Sequence, residues 1–213
     1  SASLETVADE MVHAYGVRVL LHASAVDVTT EGTRIAAVIV ENKGGRSAIV
    51  PRVVIDASGD ADAAARAGAQ YELGHAGNTQ YASTMFRLGG VDTASAGELS
   101  RPQIRAYLEQ AVADGYPLPR VTTGVHLNPL GGVVHLNVTK LADPDGAPYL
   151  LIDPQQLSEA EQVGRRQVRL HEEVFRKYVP GFERARHRHR RAGRRARNAP
   201  GTRRQRTDRG RRA

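Results

Sequence analysis

The sequence predicts an α/β fold, and three observations predict it. Residues 1–68 run helix, strand, β-meander, strand and helix, the order of a layered α/β unit. Within that stretch Val53-Val54-Ile55 is a short β-branched run without alternation, the pattern of a strand buried on both faces. Residues 84–178 then supply further strand-like runs and two helices with capping-box starts, Ser100-Arg101-Pro102-Gln103 and Ser158-Glu159-Ala160-Glu161.

The elements follow in order. Leu4, Val7, Ala8, Met11 and Val12 recur at helical spacing and Gly16 stops the run, so residues 1–15 read as a helix. Residues 17–21 are an apolar strand. Residues 25–30 and 34–42 are the next strands, with a turn at Glu31-Gly32-Thr33. Lys43-Gly44-Gly45 is a hairpin turn that returns residues 47–50. This meander is expected to cover one face of a parallel sheet whose central strand is 53–55. Residues 69–83 lack a period and read as a long loop of the kind that lines sites. Residues 83–88 are a strand closed by Gly89-Gly90, and Ile104, Leu108, Ala111 and Val112 make one helical face ending at Gly115. Strands are expected over 121–128 and 133–141. The second capping box opens a helix to about Tyr178, which Pro180-Gly181 stops.

The chain is organised around residues 46–68. After the 53–55 run, Ala57-Ser58-Gly59 turns through small residues. Asp60 or Asp62 is placed to N-cap an Ala-rich helix over 61–67, and Gly68 ends it. Strand, small-residue turn and helix N-terminus together make a place where a nucleotide's phosphates meet backbone N–H groups. The same three features also make an ordinary βα junction.

Composition narrows the chemistry. With no cysteine there is no disulfide, no thiolate catalysis and no Cys-ligated metal or cluster. The histidines show no metal-ligand spacing with carboxylates, so no metal is expected. No signal-peptide pattern and no bilayer-length apolar run is present, and a cytoplasmic protein that does not engage a membrane is the expectation. His22, His126 and His135 lie in strand-like runs and read as structural or surface residues. Asp56, at a strand end, reads as a turn or cap residue, and Arg165 and Arg166 as part of a solvated helix face.

The net charge of +7 conceals two populations. Fourteen of the 30 Lys and Arg and one of the 23 Asp and Glu lie in residues 184–213, which leaves 16 basic against 22 acidic residues in 1–183. The last thirty residues hold no Val, Leu, Ile, Met, Phe, Tyr, Trp or Lys. They cannot build a core and are expected to be disordered. One reading makes them an arm that neutralises nucleic-acid phosphates without sequence preference, although no aromatic residue is present for base stacking. The favoured reading is a GC-rich gene read out of frame. If each Arg codon is CGN, a one-base shift over residues 196–201 permits Arg-Glu-Thr-Arg-Arg, and over 207–213 Leu-Thr-Glu-Asp-Asp-Val.

Several motifs carry a family resemblance over residues 1–183. They are Gly16-Val17 with Leu20-Leu21-His22, then Val54-Ile55-Asp56-Ala57-Ser58-Gly59-Asp60-Ala61-Asp62. Next comes Thr84-Met85-Phe86-Arg87-Leu88-Gly89-Gly90-Val91-Asp92. His135-Leu136-Asn137-Val138-Thr139, Gly164-Arg165-Arg166-Gln167 and Tyr178-Val179-Pro180-Gly181-Phe182 support them. The chain resembles the FAD-dependent oxidoreductases of the glutathione-reductase-like superfamily, with Ser58 where that family usually has Thr.

The resemblance implies FAD as cofactor and flavin-mediated redox chemistry on a small molecule. It implies a partial FAD-binding domain over 1–83, part of an α+β substrate domain over 84–183, and the tail 184–213. It places the adenine contact at Ala25, shared with Val26, and the adenosine and pyrophosphate beside Ala57, Ser58, Gly59 and Asp60. It puts His75, Asn78 and Gln80 in the vicinity of the flavin or substrate. Arg87, which follows an apolar stretch, reads either as a binder of an anionic substrate or the flavin or as a surface or salt-bridged arginine. The family's Gly-x-Gly-x-x-Gly unit is not found in the chain. The expectation is therefore an internal fragment of the enzyme, inactive alone. The alternative is a nucleic-acid-binding protein acting through its tail.

Overall fold

The first helix, α1 (Leu4–Ala14), ends where the sequence places its stop. Gly16 takes φ +65°, and the N–H of Val17 donates back to the Val12 carbonyl at 2.9 Å. The structure is a computed structural model that describes residues 4–75, 79–122, 124–128 and 131–187. The chain divides into two units, residues 1–77 and 78–213.

In the first unit β1 (Ser24–Glu31), β2 (Arg34–Asn42) and β3 (Gly45–Ile49) form an antiparallel meander in the order β1-β2-β3. Gly32 supplies the positive φ of the first turn, and Asn42 Oδ1 accepts from the Gly44 N–H at 2.7 Å in the second. Val28 and Val40 are the buried apolar residues of this sheet. A short helix, α2 (Asp62–Arg66), follows the small-residue turn.

Two expected strands do not form here. Residues 17–21 and 53–55 are not strands, and Leu21, Val53 and Ile55 are 72%, 79% and 88% exposed. A strand buried on both faces needs hydrogen-bonded neighbours at both edges and a layer on each side. No described strand pairs with either segment. Every pairing among the described residues is antiparallel, so the expected parallel sheet is absent among them.

The second unit holds β4 (Phe86–Gly89), α3 (Thr93–Gly97), α4 (Arg101–Ala113), β5 (Gly124–Leu127), β6 (Val133–Asn137), α5 (Pro154–Tyr178) and β7 (Arg186–His187). Its sheet has the order β5-β6-β4-β7. Strand alternation sends Phe86 and Leu88 of β4, and Val134 and Leu136 of β6, into one core with Ile104 and Leu108 of α4 and Val174 and Phe175 of α5. The helix spacing i, i+4 brings Ile104 and Leu108 to the same face. Close approach of α5 to the start of β4 requires Gly164, where an added Cβ would collide with Thr84 Oγ1.

The Ser100 capping box forms as expected: Gln103 N–H donates to Ser100 Oγ, and Ser100 N–H donates to Gln103 Oε1 at 2.9 Å. The second expected box does not. Helix α5 starts four residues before Ser158, because Asp153 caps the Gln156 N–H at 2.8 Å and Pro154 at the first position has no N–H to satisfy. Ser158 lies inside the helix and donates to the Pro154 carbonyl. Helix α3 was not expected. Asp92 organises it by accepting from the N–H of Ala94 and of Ser95 and from the Ser95 hydroxyl.

The sheet also extends past the expected body. Ala185 is fully buried, and Arg186 and His187 pair with Gly89 and Leu88. Residues 184–187 therefore belong to this unit rather than to a disordered tail. Residues 188–213 lie outside the described residues.

Candidate functional site

The predicted adenine position and the predicted phosphate-side turn are linked by one arginine. Ala25 pairs with Val40, and the ladder then skips Val26 before Asp27, so Val26 occupies a β-bulge. Its carbonyl, released from the ladder, accepts from Arg66 Nε at 2.9 Å. Arg66 also donates to the Asp62 carbonyl at 2.9 Å and to its carboxylate at 3.0 Å. The bulge of β1 and the helix after the turn are thereby held in one hydrogen-bonded set.

Asp56 builds the turn itself. Its Oδ1 accepts from the Ser58 N–H at 3.0 Å and its Oδ2 from the Ala64 N–H at 2.9 Å. Those backbone donors, Ser58 first and then Ala64, hold its carboxyl down at about 2. Ser58 Oγ accepts from the Asp62 N–H at 2.9 Å. Neither Asp60 nor Asp62 is the N-cap. That position falls to Ala61 in the left-handed region at φ 55°, so Asp56 and Ser58 satisfy the helix donors from upstream. Gly59 has φ +94°, with no atom near the position of an added Cβ. The N–H groups of Gly59 and Asp60 have no partner among the described residues.

The remaining predicted residues divide between the units. His75 is exposed in the first. Gln80 is exposed in the second, and Asn78 lies outside the described residues. Arg87 is exposed on β4, on the sheet face opposite buried Phe86 and Leu88, and pairs across the ladder with His135.

Arg87 also lines a cleft of about 800 Å³ in the second unit. Arg165, Arg169 and Glu172 of α5 line it as well, over apolar Met85 and Val168. Among the described residues no group of three or more His, Asp and Glu could hold a metal ion, and no helix is long and apolar enough to cross a membrane.

The family model described as FAD dependent oxidoreductase matches residues 1–212. The chain belongs to this family. It is an oxidoreductase family whose cofactor is FAD. Its fold class is α/β in the broad sense of mixed helices and, among the described residues, antiparallel sheets. Neither curated proteins nor solved structures give a match.

A dinucleotide phosphate needs free backbone donors and room for close approach. Over Gly59 the backbone is bare, and two adjacent N–H groups are unused, which suits an anionic oxygen. Val26 fits less simply, because its carbonyl is already engaged by Arg66.

Sequence reasoning read Arg165 as a solvated face and did not single out Arg169. The available signal was their i, i+4 spacing with Glu172 three residues on, which puts all three on neighbouring turns of one helix.

Proposed function

We propose that residues 1–83 contribute the adenosine side of an FAD site in an enzyme of the glutathione-reductase-like superfamily, and that residues 84–183 belong to its substrate domain. In this reading the Gly59 and Asp60 N–H groups bind a phosphate oxygen, and Asp56 and Ser58 hold the turn open for it. Ala25 and Val26 lie along the adenine, while Ala57 and Ser58 keep side-chain bulk away from the ligand. His75, Asn78, Gln80 and Arg87 belong to the flavin or substrate vicinity. FAD, when bound, supplies the two-electron chemistry.

The observation that carries the reading is the Asp56 turn, whose backbone donors are used upstream and left unused at its tip. The exposed apolar residues Val17, Leu20, Leu21, Val53 and Ile55 support a layer from elsewhere in the parent enzyme, without which FAD is held weakly.

The test is a flavin titration. The parent enzyme is expected to purify yellow, with the flavin absorption retained on gel filtration. The chain of residues 1–213 is expected to bind FAD weakly, and Gly59→Val to abolish that binding. A colourless parent enzyme that does not take up added FAD would overturn the reading. Tight, salt-sensitive RNA binding by the chain, lost on removal of residues 188–213, would instead favour a nucleic-acid-binding arm. Resequencing the source DNA through the codons for Glu183 and Arg184 tests the frameshift.

A further inference from the structure

The cleft of the second unit has an unbalanced charge. Arg87 comes from the sheet, and Arg165 and Arg169 from successive turns of α5. Glu172 is the one carboxylate among its lining residues. No salt bridge joins Glu172 to any of these arginines, and neither Arg87 nor Arg169 has a carboxylate partner among the described residues. Arg165 is paired with Glu161 at 2.9 Å, but both side chains are about two-thirds exposed, at 64% and 65%. A pair so open to water is worth little and gives way readily to a better acceptor. Four arginines, counting Arg186, line one concavity with a single carboxylate among the lining residues.

The surroundings are those of a site for a small molecule. About 800 Å³ lies within the range of small-ligand clefts. Met85, 59% exposed, and Val168 add apolar atoms to its lining. Local rules put the arginines there. On β4 the alternation that buries Phe86 and Leu88 turns Arg87 to the other face. On α5 the same spacing that buries Gly164 and Val168 keeps Arg165 and Arg169 on an exposed stripe beside them.

We infer that this cleft binds a small organic acid with two carboxylates, one held by Arg87 and the other by Arg165 and Arg169, with its carbon chain over Met85 and Val168. Guanidinium forks match carboxylates in geometry and form charge-assisted hydrogen bonds with them. Cations supplied by two different elements, β4 and α5, favour two acidic groups over one. Arg186 lines the cleft too, but the site stands on the three arginines that precede residue 184. The inference rests on the reading of residues 84–183 as the substrate domain, and names its substrate class.

The test is titration calorimetry on the chain of residues 1–213 at low salt, with succinate, citrate, butyrate and ADP as separate probes and no FAD added. Succinate or citrate is expected to bind, and butyrate to bind about tenfold or more weakly. Arg87→Ala and Arg169→Ala are each expected to lower dicarboxylate affinity about tenfold or more. Arg87→Lys keeps the charge without the fork, and is expected to recover part of the loss. Arg105→Ala, at an exposed pair with Glu109 away from the cleft, is the control. Circular dichroism spectra matching the parent chain establish that the variants fold. The arginines after residue 187 are common to every protein tested, so differences report the cleft.

Equal loss in Arg105→Ala, or no dicarboxylate binding at all, overturns the inference. Binding of ADP that depends on Arg87 and Arg169 while succinate fails would make the cleft a phosphate site and also overturns it. Dicarboxylate binding with no uptake of FAD by the parent enzyme would leave the inference standing and sink only the flavin reading.

Discussion

Thr139 clamps the start of β4 by exchanging two hydrogen bonds with Thr84. Its Oγ1 accepts from the Thr84 N–H at 2.7 Å and donates to the Thr84 carbonyl at 3.1 Å. Thr139 is fully buried, so one hydroxyl satisfies a backbone donor and acceptor just before Phe86 enters the ladder. Thr139→Val keeps the shape and leaves both groups unpaired. The expected loss is about 1–3 kcal/mol in chemical denaturation, with Thr139→Ser losing much less. A large loss in Thr139→Ser with little loss in Thr139→Val would show that the methyl group, not the hydroxyl, matters.

Gly164 packs against the side chain of Thr84. Because an added Cβ meets the Thr84 side chain, Gly164→Ala must push α5 away from β4. Overpacking of this kind costs about 1–3 kcal/mol. The double variant Gly164→Ala with Thr84→Ala is expected to recover part of that loss, since it removes the atom in conflict. Additive effects in that cycle would place the strain elsewhere.

The second unit was far more legible in the sequence than the first. In β4 and β6 the alternating residues are buried against helices within the same unit, so local pattern and tertiary environment agree. The Ser100 box and the stops at Gly16 and Gly115 depend on a few adjacent residues and were readable for that reason. Val53-Val54-Ile55 failed because a buried parallel strand is defined by neighbours far along a chain, and its apolar run says nothing of their presence. The start of α5 was misplaced because Ser158 mimics a cap, while Asp153-Pro154 is the stronger signal. In the candidate site, the role of Asp56 as a turn residue was legible from its position before small residues. The Arg66 bond to the Val26 carbonyl was not, since it spans forty positions.

Asp56 makes the turn of the candidate cofactor site sensitive to acid. Its folded-state value of about 2 lies below the ordinary carboxylate range. A carboxyl depressed in the folded chain contributes stability that is present above the unfolded value and lost as pH falls through the folded one. The window is therefore from about pH 4 down to about pH 2. The amide resonances of Ser58 and Ala64 are expected to shift together through the lower part of that window. Asp56→Asn, which weakens the acceptor, is expected to speed their hydrogen exchange at neutral pH. Unchanged exchange at both amides would remove Asp56 from this role.

His171 gives the second unit a pH dependence nearer neutrality. Its Nδ1 lies 2.7 Å from the Gln167 carbonyl, which only accepts, so Nδ1 carries the proton. Nε2 is buried without a partner among the described residues, and the ring lies 6.4 Å from that of Phe86. Burial, the largest influence, pushes its value below that of an ordinary histidine; the Gln167 hydrogen bond opposes this, and the charge of Arg120 adds to the depression. Protonation would place a charge in the core with no acceptor for the new N–H among the described residues. The folded chain thus binds this proton less readily than the unfolded chain. The contribution to stability is fully present above the ordinary histidine value and declines as pH falls below it toward the folded value. His171→Leu removes the titrating group and is expected to flatten the fall in unfolding free energy between about pH 7 and pH 5, a span that brackets the ordinary histidine value. The two proteins differ only at residue 171, so the difference between the two slopes isolates the contribution of this side chain. Identical slopes in urea unfolding measured across that range would show that the buried ring does not titrate with folding.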